Sequence, residues 1–337
     1  MELICIMVSI KDVANKAGVA ISTVSKVLNN YPNVSEATKA KVNQAVAELG
    51  FVPNPVAAAL SSKQSGRAAL LINLSSQTQA IDEIDMRYIC GAIEKASECH
   101  LELLTVFFSM IEDMELEDLI RYFKSQSISG IIIFGMSKVD EILHQLIDAQ
   151  EFKVVVVDAP VTNASTSSVW IDQKKAQYEV AKKTLLENQR NNKRFLYIEG
   201  KENGYITAPR TEGVKEIAKE LGVSVTIKNG NFSEKKAREI TFEYAESHDV
   251  VVCASDLMAI GAMKALQEMD IFRPVCGFDG ITLMGYAGMQ MNTVKQDFAM
   301  IAQIAVEEMI NLMGGAEGQN IIAPHSLVQL EYLNIIK

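Results

Sequence analysis

The sequence predicts a small all-α helix-turn-helix domain followed by an α/β body of two doubly wound parallel-sheet subdomains. Three observations predict it: two short helical periods joined at a glycine near the N-terminus, a proline-containing linker, and two successive series of short apolar runs alternating with helical stretches. A chain of 337 residues has room for one small domain and one or two of ordinary size.

The head spans residues 8–52. Ile10, Val13, Ala14 and Ala17 are spaced as the inward face of a short helix, and Gly18 can take the positive φ of a tight turn. A second helix starts near Ile21, with Val24, Val27 and Leu28 on one arc and Ser22, Ser25 and Lys26 on the opposite one. Two helices this short cannot bury their apolar faces alone. A third is marked by Ser35 as N-cap, by Val42, Ala45, Val46 and Leu49 at helical spacing, and by Gly50 as its C-terminal stop.

The stretches IKDVANKAGV, TVSKVLN and VSEATKAKVNQAVAELGFVPN closely resemble the N-terminal domain of the lactose-repressor (LacI/GalR) family of bacterial transcription regulators. That resemblance implies that the start of the second helix enters the major groove of double-stranded operator DNA. Ile21, Ser22 and Lys26 then meet base edges: Ile21 a thymine methyl, Ser22 either kind of base, Lys26 the O6 and N7 of guanine. Thr23, Ser25, Asn29, Asn33, Ser35, Thr38 and Lys39 are expected at phosphates, with capping or plain solvation as the rival role for each hydroxyl. Ala20 stands where the family usually has serine, and Lys26 where arginine is common.

Residues 53–65 form the linker. Pro53 and Pro55 hold the chain extended, and VAAALSS is helix-prone but too short to be stable alone. In the family, two such segments pair as hinge helices on DNA, and a leucine from each wedges into the minor groove. Leu60 is the matching residue, with Ala59 beside it; the rival reading makes Leu60 an ordinary contact onto the body.

In the body, AALLINL, LELLTVFF, GIIIFG and KVVVVDAP read as buried parallel strands, with helices near Asp82–Cys99, Asp113–Ser125 and Val139–Gln150 between them. RFLYIEG, VSVTI, DVVVCAS and PVCGFDG form the second series, with helices near Asp172–Glu187, Thr211–Leu221, Ser233–Ser247 and Asp256–Met269. A strand at Asn292–Val294 and a helix at Phe298–Met313 are expected to cross back to the first subdomain. The division expected is 66–165 with 297–320 for the first subdomain, and 166–296 with 321–337 for the second. This body resembles the periplasmic sugar-binding proteins (type I), which implies a ligand cleft where the strand ends converge.

Within that cleft the resemblance assigns Arg210 to ligand hydroxyls or carboxylates, Asp279 to a pair of sugar hydroxyls, and Phe232 to a sugar face or to the core. Ser255 and Asp256 open a helix after a strand; Asp256 has the rival role of complementing the helix dipole. Gln296 lies on the crossover, and Ser75 and Ser76 follow the first strand. SSQTQAIDEID replaces the family's proline-and-aromatic stretch and removes an expected aromatic rim, Ser255 replaces a common asparagine, and Gly280 replaces a common second aspartate.

Composition bounds the function. The first 65 residues carry six lysines, no arginine and four carboxylates, a net of +2, so the rest of the chain carries −12 of the total −10. A mildly basic head on an acidic body suits salt-sensitive DNA binding. Five cysteines without C-x-x-C fit reduced thiols in a cytoplasm, and four scattered histidines give no metal spacing. No cofactor is expected. No Walker loop, dinucleotide fingerprint, G-x-S-x-G or zinc spacing is present, so no enzyme is expected either. No apolar run is long enough to cross a membrane. MELICIM precedes the point where the family's domain begins, which makes Met7 the expected start.

The chain therefore reads as a dimeric, sequence-specific transcriptional regulator of the repressor type. Its operator is expected to be pseudo-palindromic and its effector a sugar or sugar derivative. A protein co-effector, such as a phosphoprotein docking on the first subdomain, and a purine-type ligand are the alternatives. No leucine-heptad tail follows the body, so the expected assembly is a homodimer.

Overall fold

The computed structural model describes residues 8–28, 34–51, 66–73, 79–187, 194–287 and 290–329, with backbone only at 79–82. The chain divides into two compact units on either side of Gly66.

The first unit is three helices, α1 (Ile10–Ala17), α2 (Ile21–Leu28) and α3 (Glu36–Leu49). Ser9 and Asp12 cap α1 reciprocally, each side chain taking the other's backbone N–H, and Gly18 ends the helix at φ 67°. That left-handed residue turns the chain within three positions into α2, and Val13, Val24 and Val42, one from each helix, meet in a sealed core. Residues 1–7 and the linker 53–65 lie outside the described residues.

The second unit holds two six-stranded sheets. Its elements are β1 (Arg67–Ile72), α4 (Gln79–Glu98), β2 (Glu102–Phe107), α5 (Leu116–Ser125), β3 (Ile128–Phe134), α6 (Glu141–Asp148), β4 (Lys153–Val157), β5 (Thr166–Ile171) and α7 (Gln173–Glu187). They continue with β6 (Arg194–Glu199), α8 (Thr207–Leu221), β7 (Ser224–Asn229), α9 (Glu234–Tyr244), β8 (Val250–Cys253), α10 (Asp256–Glu268), β9 (Val275–Cys276), β10 (Asn292–Gln296), α11 (Phe298–Met313), β11 (Asn320–Ala323) and β12 (His325–Gln329). The first sheet runs β2-β1-β3-β4-β5-β11, parallel throughout, and the second β7-β6-β8-β9-β10-β12, parallel except where β12 meets β10. Runs such as Ile131–Phe134 and Val250–Cys253 are buried on both faces, as helices on either side of a parallel sheet require.

The chain passes between the lobes at Asp172, Asp297 and Pro324. Two placements differ from the expectation. Thr166–Ile171 was expected to open the second subdomain but adds to the first sheet between β4 and β11. It lacks a hydrophobic signature because two of its buried positions are serines whose hydroxyls are paired internally: Ser167 donates to Glu308 at 2.6 Å and Ser168 to the Ala159 carbonyl at 2.7 Å. Helix α8 begins at Thr207 rather than Thr211, which puts Arg210 inside its first turn, next to Pro209, whose missing N–H is no loss there. Among the described residues, no helix is long and apolar enough to cross a membrane.

Helix α11 crosses back to pack on α4 and beneath β3 and β4. At the crossing a Cβ on Gly91 of α4 would run into the Ala299 backbone. Gly91→Ala is therefore expected to destabilise the body by about 1–3 kcal/mol through overpacking. The single tryptophan, Trp170, sits in β5, so a fluorescence melt of the full chain reads the body selectively. The expected result is a midpoint lowered by roughly 3–10 °C; an unchanged midpoint would show that the helices can move apart at no cost.

Candidate functional site

Two surfaces collect the expected site residues. On the head, the turn at Gly18 presents the first turn of α2 outward: Ile21 is 47% exposed, and Ser22 and Lys26 are exposed on the same side, while Val24 and Val27 are buried behind them. An exposed isoleucine beside a serine and a lysine does nothing for the head's own stability. The hydroxyl-bearing residues are less uniform. Thr23 and Ser25 are half-buried on α2. Ser35 caps α3 and its hydroxyl lies 2.9 Å from that of Thr38, so both are used locally. Lys39 pairs with Glu36 at 2.7 Å, a solvent-exposed i,i+3 contact that holds little. Asn29, Asn33, Ala59 and Leu60 lie outside the described residues.

In the body a cavity of about 250 Å³ opens between the lobes. Its position follows from topology. Gly135, Asp158, Lys201, Phe232, Ser255 and Asp279 all line it, and each comes just after the carboxyl end of a strand. Three of them, Asp158, Phe232 and Asp279, sit at positive φ (61°, 55° and 122°). Such backbone costs of order 1–3 kcal/mol per residue and concentrates at functional sites.

Arg210 is the centre of the cavity's electrostatics. It is 1% exposed and lies against the Phe278 ring at 3.5 Å. Its Nε donates to the Gln173 amide oxygen at 2.8 Å and its Nη1 to the Ala254 carbonyl at 2.5 Å; Asp279 is 3.7 Å away. Gln173 in turn donates to Asp158 at 3.2 Å, and the Tyr88 hydroxyl donates to the same carboxylate at 2.9 Å. Gln296 donates to Asp279 at 3.1 Å. The network runs from α4 and β4 in the first lobe, through the crossover glutamines Gln173 and Gln296, to α8 and the Asp279 loop in the second. Burial pushes the Asp158 carboxyl up despite the Tyr88 hydrogen bond and the Arg210 charge, and pushes that of Asp279 up to about 7 despite the same guanidinium. Burial lowers the pKa of Arg210 while both carboxylates oppose the change.

Of the expected effector residues, Arg210, Phe232, Ser255, Asp279 and Gln296 are brought together here. Ser255 also caps α10, its hydroxyl accepting from the Met258 N–H. Asp256 departs from the expectation. It is fully buried behind the wall, and its carboxylate accepts from the backbone N–H groups of Gly280 (2.7 Å) and Ile281 (2.9 Å) and from the Thr293 hydroxyl (2.5 Å). Its role is to hold the loop that carries Asp279, and all its acceptor strength is spent inside the protein. The glycine after Asp279 is required: Gly280 has φ 74°, and a Cβ there would sit 2.8 Å from the Lys295 Cα, so a second aspartate does not fit. Ser75 and Ser76 lie outside the described residues.

Sequence reasoning missed Tyr88, Asp158 and Gln173. Asp158 ends KVVVVDAP, and a carboxylate at the carboxyl end of a parallel strand was signal enough to find it. Tyr88 supplies, from α4, the aromatic that the loop after β1 lacks. A larger groove of about 660 Å³ lies at the opposite ends of β9 and β10, lined by residues such as Phe272 and Asn292.

The lobes are also tied at both edges of the cleft. Glu83 of α4 accepts from the Thr282 N–H (3.0 Å) and hydroxyl (2.7 Å), and Arg87 donates to that hydroxyl at 3.0 Å. At the other edge the Lys138 N–H donates to the Asn203 carbonyl at 2.9 Å, and the Tyr205 hydroxyl lies 3.2 Å from His144 Nε2.

Comparison with known proteins bears on both surfaces. Residues 9–54 match bacterial regulatory proteins of the lacI family, and residues 87–329 match periplasmic binding proteins and the sugar binding domain of the LacI family. The HTH-type transcriptional regulator RegA of Clostridium saccharobutylicum is 30% identical over 340 residues, covering 96% of this chain and 98% of its own. The HTH-type transcriptional repressor PurR of Vibrio atlanticus (strain LGP32) is 28% identical over 313 residues, covering 89% and 90%. The crystal structure of the lac repressor dimer bound to operator and the anti-inducer ONPF has the same fold, with a TM-score of 0.77 at 22% identity and coverage of 95% and 97%. These relatives are regulators and not enzymes, and the chain belongs to the LacI family of bacterial transcriptional regulators.

Proposed function

We propose that this regulator is a cytoplasmic repressor that binds a pseudo-palindromic operator as a homodimer and changes its operator affinity when a small molecule, a sugar or sugar derivative, fills the cleft. The observation that carries the proposal is the buried Arg210–Asp279 network, which is continuous across both lobes and both crossover glutamines. A ligand making contacts on both walls has different affinities for open and closed lobes, and that difference is all that linkage requires. Arg210, Asp279, Phe232, Ser255 and Gln296 are the proposed effector contacts.

On DNA, Ile21, Ser22 and Lys26 are proposed to read bases, with Thr23, Ser25, Asn29, Asn33, Thr38 and Lys39 at phosphates and Ser35 kept mainly as a cap. Leu60, with Ala59 beside it, is proposed as the minor-groove wedge. The dimer is proposed to form through α4 and the turn Thr282–Tyr286. Met86, Cys90 and Ile93 are exposed at i, i+4 and i+7 on α4, Leu283 and Tyr286 are exposed on the turn, and the Glu83–Thr282 contact holds helix and turn together.

Three experiments test these assignments. Leu60→Ala is expected to weaken operator binding by about tenfold or more, ~1.4 kcal/mol, with little change on random duplex; equal losses on both would remove the wedge. In Arg210→Ala the operator is still bound but the effector response is gone, as titration with effector in a DNA-binding assay would read; a retained response excludes Arg210 from the site. Ile93→Glu is expected to shift the sedimentation profile from dimer to monomer at micromolar concentration, since each subunit would bury a carboxylate in an apolar seam. An unchanged dimer would move the interface off α4.

A further inference from the structure

The cavity's charge inventory narrows the effector beyond the reading above, on which this inference rests. Three carboxylates line the cavity, Asp85, Asp158 and Asp279, against one buried cation, Arg210. Lys201, the other cation on the wall, is exposed. The charge of Arg210 is already shared among the Gln173 amide oxygen, the Ala254 carbonyl, the Phe278 ring and Asp279. Acceptors are also in excess. The amide oxygen of Gln296, on a side chain 2% exposed, has no hydrogen-bond partner although its amide nitrogen donates to Asp279.

The remaining wall is apolar, with Tyr88, Ile206, Phe232, Leu257 and Ile281 facing the same space. Low-polarity walls strengthen every charge interaction inside and penalise an unbalanced one. An anionic ligand would bring another negative charge beside three carboxylates. A neutral one would leave protonation of the carboxyls as the only relief of that excess as the lobes close and water leaves. We propose that the effector is a cation of monosaccharide size, carrying an ammonium group together with hydroxyl or other hydrogen-bond donors. Its ammonium would lie among Asp158, Asp279 and the Gln296 amide oxygen, and its less polar face against Phe232 and Tyr88. Burial raises the pKa of the Asp158 and Asp279 carboxyls, and an ammonium placed beside them would favour the charged form that burial penalises.

The test uses the full chain and a bacterial metabolite extract separated by ion exchange at pH 7 into cation-retained, neutral and anion-retained pools. Melting is followed by Trp170 fluorescence. The cation-retained pool is expected to raise the midpoint by several degrees, with no shift from the other two. In Asp279→Asn and Asp158→Asn, which are nearly isosteric, about ten times more of that pool should be needed for the same shift. Each shift is read against that variant's own unliganded midpoint, because Asp158 also holds Tyr88 and Gln173, and Asp279 also holds Gln296 and Arg210. Stabilisation by the neutral or anion-retained pool overturns the cationic assignment and leaves a small-molecule effector in place. So does a cation-pool shift that both variants retain in full. Stabilisation by none of the pools overturns both the assignment and the effector reading.

Discussion

A full positive charge buried to 1% exposure constrains the body more than any other single group. The Arg210 guanidinium cannot give up its charge as a carboxyl can, so the protein has to surround it with a ring face, a carbonyl, an amide and carboxylates. Those partners come from four segments, α7 and the stretches that follow β4, β8 and β9, and each must be correctly placed for the charge to be tolerated. The two glutamines that complete the network sit where the chain passes between lobes. The crossovers between the lobes and the lining of the cavity are therefore built from the same residues.

Asp256 shows a second layer of the same construction. Its carboxylate is fully buried, and burial together with neighbouring Asp279 raises its pKa well above the ordinary value. Two backbone N–H groups and one hydroxyl stabilise the charge locally and fix the path of the chain from Asp279 to Ile281. The strained φ of Asp279 and the left-handed Gly280 are held by this clamp. The loop thus keeps its shape at the expense of a carboxylate buried behind the cavity wall, so the position of Asp256 after a strand, which suits a ligand contact or a helix-start charge, here serves a local structural bond set.

Legibility followed the periodicity of the side chains. The head was readable almost residue by residue, because Val13, Val24 and Val42 fall at helical spacing and Gly18, Ser35 and Gly50 punctuate the helices by capping chemistry that sequence displays directly. The central strands were readable because β3, β4 and β8 are continuous apolar runs. Strand β5 was not, since Ser167 and Ser168 are polar residues buried through hydrogen bonds to one group more than a hundred positions away and to another across a turn. Arg210 and Asp279 could be named from their motifs, but Tyr88 and Gln173 could not, because what brings them to the cavity is the packing of α4 and the path of a crossover, neither of which is a local pattern.

The tie between Glu83 and Thr282 has a consequence for how two subunits communicate. Glu83 and Arg87 grip the second lobe from the same helix, α4, whose next turns expose Met86, Cys90 and Ile93. A helix is a stiff rod, so its displacement at the cleft arrives at the exposed stripe undiminished. If that stripe is the seam of the dimer, cleft width in one subunit and the docking angle of its neighbour are a single coordinate. The first pocket to fill then sets the terms on which the second one fills.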